Sequence, residues 1–270
     1  MCLVVAALGV SADWPVVLVA NRDEAFDRPT QPLTRQPAAP GPDGAAPVWL
    51  GGRDLRASGT WMGAADNGRV AVVTNVRRAA RAEASANQSR GTLATDWLTA
   101  RAAPWQRPPA SVGGCNLLLH TPGVGWEHAS NCLANGTVAT GWQRQRLEPG
   151  IHSMSNGHWS ERWPKQHELM QAVAQALQQP APQRLNALLR ALRSTHQPPD
   201  AQLPHTGVSW QAEQRLAPVF VQWPERGYGT RSSTVLWTTA TQPQTWRMWE
   251  WQHTPDGVTA APKRGALRWG

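Results

Sequence analysis

The sequence predicts an α+β protein in which antiparallel sheets stack and helices lie outside them. Three observations point there. Strand-forming runs open the chain, helical periodicity follows in its middle, and strand-forming runs return near the end. Asp66-Asn67-Gly68 separates two apolar runs, and Asn-Gly in that setting is a strong hairpin signal. Leu169, Met170, Val173, Ala176 and Leu177 recur at spacings near three and four, which gives a helix one apolar stripe. The regular strand–helix alternation of a βαβ fold is missing. No break in composition divides the chain, so one domain over residues 1–270 is expected.

The elements follow in order. Leu3–Leu8 and Val16–Ala20 are β-prone runs joined by a segment holding the turn formers Asp13 and Pro15, and they predict a hairpin. Arg28–Asp43 is rich in proline and predicts an irregular surface stretch. Trp49–Gly52 and Thr60–Ala64 predict short strands, and Val70–Val76 pairs with the second of them through the Asn-Gly turn. Thr92–Arg101, Glu161–Leu177 and Pro182–Leu192 predict helices, the last ending before Pro198-Pro199. Asn116–Leu119, Thr137–Thr140 and Ile151–Met154 are strand candidates. Ser233–Thr239 and Thr245–Trp251 predict a final strand pair.

Composition narrows the function classes. A chain of 270 residues that is 41% hydrophobic has ample material for a core. No apolar run approaches the roughly 20 residues of a membrane span. No basic segment precedes the first apolar stretch, so a secretory signal is not expected and a cytoplasmic location is. Cys2, Cys115 and Cys132 make no disulfide framework, and no histidine pair has a zinc-site spacing. The net charge of +8 invites a nucleic-acid partner. Its spread along the chain argues against one, as does its make-up: Lys165 and Lys263 are the only lysines. Arg77-Arg78-Ala79-Ala80-Arg81 is the one dense cluster, suited to a solvated loop or to steering an anion. Sixteen tryptophans stand against one tyrosine and two phenylalanines. Most are expected in packing, with some free to line an apolar ligand pocket.

Chemistry concentrates at the N-terminus. Cys2 follows Met1, and aminopeptidases remove an initiator methionine ahead of a small residue. The exposed Cys2 would carry a thiol and a free α-amino group together, a nucleophile and a base on one residue. An antiparallel pairing of the first two strands brings Cys2 beside Asn21-Arg22-Asp23-Glu24. A neighbouring guanidinium favours the reactive thiolate. Asn75 leaves one apolar strand and Asn156 follows another, so each can place a donor near a developing oxyanion. Taken singly, each is also an ordinary turn or strand-end residue.

Several short motifs in fixed order carry a resemblance. They are Met1-Cys2, Asn21-Arg22-Asp23-Glu24, Gly59-Thr60-Trp61-Met62-Gly63, Thr74-Asn75-Val76-Arg77, Ser155-Asn156, Leu203-Pro204-His205-Thr206-Gly207-Val208 and Tyr228-Gly229-Thr230-Arg231-Ser232-Ser233-Thr234. Together they resemble the NRDE family, also called the transport and Golgi organisation protein 2 family, over nearly the whole chain. That family is similar to N-terminal nucleophile hydrolases. The resemblance implies a four-layer αββα sandwich and cleavage of a non-peptide C–N bond in a small amide. It implies Cys2, Arg22, Asp23, Asn75, Asn156 and Arg231 as site residues, with Asn21 or Glu24 able to replace Arg22 or Asp23. Hydrolysis would need no cofactor. The family is also associated with haem and with lipid or acyl-CoA handling, so a non-catalytic carrier of haem or an acyl ligand is the alternative. Two positions depart from the pattern: His205 stands where an Asp is expected, and Gly157 where Ala is more usual.

Overall fold

Leu3–Leu8 forms β1, and all of its side chains are buried. The strand pleat sends Val4, Ala6 and Leu8 to one face and Leu3, Val5 and Ala7 to the other, and both faces meet apolar layers. A strand with two apolar faces belongs in the middle of a layered fold. The structure, a computed structural model, describes residues 3–37, 47–77 and 88–270. Cys2 and Arg78–Arg81 lie outside the described residues.

The further strands are β2 (Val16–Ala25), β3 (Thr30–Pro37), β4 (Val48–Asp54), β5 (Met62–Ala65), β6 (Val70–Asn75), β7 (Cys115–Thr121), β8 (Gly125–Cys132), β9 (Val138–Arg146) and β10 (Gly150–Met154). After the helices come β11 (Gln222–Trp223), β12 (Tyr228–Thr239), β13 (Gln242–Gln252) and β14 (Lys263–Arg268). The helices are α1 (Arg90–Leu98), α2 (Pro164–Leu177), α3 (Ala181–Leu192) and α4 (Trp210–Leu216). One sheet has the order β10-β1-β2-β12-β13-β14, with β11 paired to β12. The other runs β3 to β9 in chain order. Their facing sides bury Leu18, Leu50, Met62, Val72, Leu118, Trp246 and Met248. Helices α2 and α3 cover the outer side of the first sheet, packing Leu169, Val173, Leu188 and Leu192 on Val17, Val19 and Val235. Helix α1 covers the second sheet through Leu93, Trp97 and Leu98. The result is a four-layer αββα sandwich.

Two expectations need correction. Arg28–Asp43 is not irregular as far as it is described, because Thr30–Pro37 is strand β3. This is the outer strand of its sheet, and Pro32 falls inside the register shift between Gln31 and Thr34, where the ladder does not need its missing N–H. The second strand does not stop at Ala20. It continues to Ala25, because β12 pairs with it as far as Tyr228 opposite Ala25. Asn21–Glu24 is therefore strand, with side chains alternating between faces. The tryptophans mostly pack: Trp14 stacks on Trp237, and Trp246 on Trp269. Among the described residues no helix is long and apolar enough to cross a membrane.

Candidate active site

Three strand ends, the start of β1 and the ends of β6 and β10, converge beside β2. Leu3 pairs with Asn21 in β2, and Val4 pairs with Met154 at the end of β10. Ser155 and Asn156 follow directly, and the end of β6 is tied to them: Thr74 Oγ1 donates to the Ser155 carbonyl at 2.8 Å. Beside this convergence opens a cleft of about 490 Å³ whose lining includes Arg22, Glu24, Arg28, Asp54, Trp61, Asn75, Arg90 and Tyr228.

Alternation along β2 separates the roles of its polar residues. Asn21 faces the helices. It donates to the carbonyls of Leu192 and Val219, each at 2.8 Å, and accepts from Ser233 Oγ at 2.6 Å. It thus satisfies the last carbonyl of α3, a structural task. Arg22 faces the gap between the sheets and is 3% exposed. Its guanidinium lies 4.4 Å from the centre of the Trp61 ring, which places a cation over an aromatic face. It donates to Thr30 Oγ1 at 3.3 Å and pairs with Asp54 at 3.4 Å and Glu24 at 3.9 Å. Arg28 joins the same two carboxylates, at 2.6 Å from Asp54 and 3.7 Å from Glu24. Burial lowers the Arg22 pKa, while the charges of Glu24 and Asp54 oppose that shift. Burial also acts to raise the Asp54 carboxyl, but the Arg28 hydrogen bond, the Ala57 N–H and the two arginine charges outweigh it and hold the carboxyl below its ordinary value.

Asp23 accepts from Thr230 Oγ1 at 2.6 Å, and the same hydroxyl oxygen accepts the Val221 N–H at 2.8 Å. Arg231 occupies the bulge of β12, between Thr230 opposite Asp23 and Ser232 opposite Arg22. It donates to the Ala25 carbonyl at 3.3 Å, to the Arg28 carbonyl, and to Thr30 Oγ1 at 3.2 Å. It therefore clamps the β2–β3 turn and shares the Thr30 hydroxyl with Arg22. Its charge bears on Arg22, but its side chain is not in the cleft wall.

Asn75 is in the wall, and Asn156 stands behind it at 1% exposure. Asn156 Nδ2 donates to Asn75 Oδ1 at 2.7 Å and to the Asn75 carbonyl at 3.1 Å. Of the six residues implied by the resemblance, Arg22, Asp23 and Asn75 border the cleft, while Asn156 and Arg231 brace it from behind. Cys2 lies outside the described residues, bonded to Leu3. Of the two substitutes, Glu24 borders the cleft and Asn21 does not. Gly157 has a local reason: a Cβ there would come within 2.8 Å of the Trp163 ring.

Asp54, Arg28 and Arg90 are not among the expected site residues, and Trp61 and Tyr228 stand in family motifs without an expected site role. The first three have no local sequence signal, since they reach the cleft from a strand end, a turn and a helix start. A second apparent dyad is buried elsewhere: Ser233 Oγ lies 2.9 Å from His253 Nε2. Burial pushes His253 down to about 4, and Ser233 is fully buried, so no substrate reaches this pair.

The sequence pattern of the family described as Transport and Golgi organisation 2 matches residues 1–253. The chain belongs to that family. A mouse Transport and Golgi organization 2 homolog is 24% identical over 253 residues, covering 83% of this chain and 82% of that protein. A Bos taurus homolog is 26% identical over 251 residues, with the same coverage of 83% and 82%. Among solved structures, a Caenorhabditis elegans orthologue of N-acylethanolamine-hydrolyzing acid amidase aligns with TM-score 0.48 at 10% identity, covering 87% of this chain and 92% of that one. A variant of conjugated bile acid hydrolase from Clostridium perfringens aligns with TM-score 0.47 at 8% identity, covering 99% and 92%.

Proposed function

We propose that this member of the Transport and Golgi organisation 2 family is an N-terminal cysteine hydrolase that cleaves the C–N amide bond of a small molecule, with Cys2 as nucleophile. One observation carries the reading: a buried guanidinium, Arg22, and an amide side chain, Asn75, border one cleft at the start of β1. Cys2 immediately precedes Leu3 in the chain, and Leu3 pairs with Asn21, the neighbour of Arg22.

With Met1 removed, the α-amino group of Cys2 has a reference pKa of roughly 7.7–8.0, suited to accepting the thiol proton near neutral pH. The Arg22 charge favours the resulting thiolate. Sγ attacks the amide carbonyl carbon, and the carbonyl oxygen becomes an oxyanion. Asn75 Nδ2 supplies a donor to it, an interaction worth about 2.7–4 kcal/mol in a preorganised site. Collapse breaks the C–N bond. The amine leaves with the proton held by the α-ammonium, and the acyl group remains as a thioester on Sγ. Water, deprotonated by the α-amino group, attacks the thioester. The carboxylic acid departs and the thiol is restored.

The cleft volume of about 490 Å³ suits a small-molecule substrate. The lining gives less support to a carrier of haem or an acyl chain. Trp61 is the tryptophan of the wall, and Arg22 and Arg28 are already engaged by Asp54 and Glu24. Incubating untagged protein with a panel of N-acyl amines and N-acyl amino acids, and measuring released amine, tests the proposal. Wild type is expected to turn over at least one chemical class, and Cys2→Ala none. Tight haemin or acyl-CoA binding that survives Cys2→Ala, with no turnover of any amide, would favour the carrier.

A further inference from the structure

The family motifs around Arg77, Asn156 and Thr206 converge on one chain of hydrogen bonds that ends in the cleft. Glu213, in α4, is buried and accepts at Oε1 from the Thr206 N–H at 2.6 Å and the Thr206 hydroxyl at 2.7 Å. Its other oxygen, Oε2, takes Arg77 Nη1 at 3.2 Å. Arg77 Nη2 donates to Asn156 Oδ1 at 3.2 Å, and the Arg77 backbone N–H donates to the Asn156 carbonyl at 2.7 Å. Asn156 Nδ2 then donates to Asn75 Oδ1 at 2.7 Å.

We infer that Glu213 and Arg77 are positioning residues that set the polarity of the Asn75 carboxamide, so that it presents its NH2, and not its oxygen, to the substrate. A guanidinium has donors and no acceptor. Facing Asn156, it accepts only the orientation in which Oδ1 points at it. That leaves the Asn156 NH2 facing Asn75, where only an oxygen can receive it. The Asn75 oxygen is thereby consumed, and its Nδ2 is the atom left over; no described residue accepts from it. Carboxamide O and N have nearly the same shape, so packing alone does not choose between the two orientations. A chain that begins with a carboxylate and passes through a donor-only group does choose. Thr206 occupies one Glu213 oxygen and directs the other to Arg77. The Trp163 face, 5.3 Å from the Arg77 guanidinium, holds that plane in place. The departure at His205 leaves the device intact, because the working residue of that stretch is Thr206.

The inference rests on the hydrolase reading for its catalytic consequence, but its structural core is testable without turnover. The variants are Arg77→Met, Arg77→Lys and Glu213→Gln, each first shown to be folded by circular dichroism and thermal melting. Lysine keeps the charge but cannot reach Glu213 and Asn156 with a two-pronged donor. Glu213→Gln sets an NH2 against the guanidinium if its oxygen stays with Thr206. The first readout is the side-chain amide proton–nitrogen spectrum, with Asn75 and Asn156 assigned by their loss in Asn75→Asp and Asn156→Asp. In wild type the Asn156 NH2 is expected to be protected from solvent exchange and the Asn75 NH2 to exchange faster. In folded Arg77→Met the Asn156 protection should fall about tenfold or more and the Asn75 signals should move, with Arg77→Lys and Glu213→Gln in the same direction. The second readout is kinetic: kcat should fall by about 10- to 100-fold, within the loss of one oxyanion donor, while KM stays within about threefold. Unchanged side-chain amide signals in the folded variants overturn the inference, and so does wild-type kcat in Arg77→Met. A wild-type protein that hydrolyses no amide counts against the proposed function alone, and the amide spectrum then decides the polarity chain by itself.

Discussion

Three cysteines in this chain have very different prospects as nucleophiles. Cys115 and Cys132 are fully buried, and burial pushes their thiols up to about 12 and about 11. At neutral pH both are almost wholly protonated and out of contact with solvent. Cys2 precedes Leu3, which pairs with Asn21, the neighbour of Arg22, and on the proposed reading the Arg22 charge favours its thiolate. Limiting iodoacetamide at pH 7, followed by peptide mapping, should label Cys2 at least tenfold faster than either of the others. Equal labelling would remove the activated thiol from the account. Arg22 itself is a second test. Arg22→Lys keeps a charge but loses the fork that reaches Thr30 and Asp54 together. It should slow Cys2 alkylation and turnover by roughly tenfold or more, a residual effect that simple charge retention would not give. That Arg22, Asp23 and Asn75 share a site was legible in the sequence, because they stand in short motifs, and all three border the cleft. Asp54 and Arg28 were not legible. Their part in the site comes from the β2–β3 turn meeting the end of β4, which no local pattern encodes.

At the scale of elements, the cleft depends on how closely α1 approaches β5. A Cβ on Gly59 would lie 2.3 Å from the carbonyl carbon of Gly91, so backbone meets backbone there without room for a methyl group. Gly59→Ala should destabilise the fold by about 1–3 kcal/mol in urea unfolding, because neither backbone can rotate out of the way. The folded fraction should also lose activity, since Gly91 and Arg90 at the start of α1 line the cleft. A variant as stable as wild type would mean that α1 shifts freely. Elements with strong local signals were readable in advance: the Asn67-Gly68 turn, with Gly68 at φ +77°, and the apolar stripe of α2. Strands β3 and β14 were not. Pro32 and Lys263 weaken their β character, and what makes them strands is pairing with β4 and β13, their neighbours in chain order. The extension of β2 through charged residues was hidden for the same reason, since β12 sustains it from some two hundred residues away.

At the scale of the molecule, the two sheets are joined by a buried acid. Glu250 of β13 accepts the Leu33 N–H of β3 at 2.8 Å and the Gln252 amide at 2.6 Å, and Thr234 lies 3.5 Å from its other oxygen. Burial raises its carboxyl to about 7, against the lowering pull of the Leu33 N–H and the Arg22 charge. A carboxyl with a native pKa above its unfolded value of roughly 4.3 holds its proton more tightly when folded. The stability it contributes is complete below the unfolded value and is lost as the pH rises through about 7. Thermal melts between pH 5 and pH 8 should show that decline, and Glu250→Gln, which is neutral throughout, should flatten it. A decline of the same size in Glu250→Gln would assign the effect to other groups.

At the centre of the proposed function, which draws on the four layers, the converging strand ends and the guanidinium of Arg22, stands a covalent intermediate on Cys2. Its most direct test is mass spectrometry of untagged protein, quenched in acid during turnover of a small amide. The N-terminal peptide should begin at Cys2, without Met1, and carry the mass of the substrate acyl group as a thioester. The adduct should be absent from Cys2→Ala. Retention of Met1 on the protein, or an acyl adduct on any residue other than Cys2, would contradict the account.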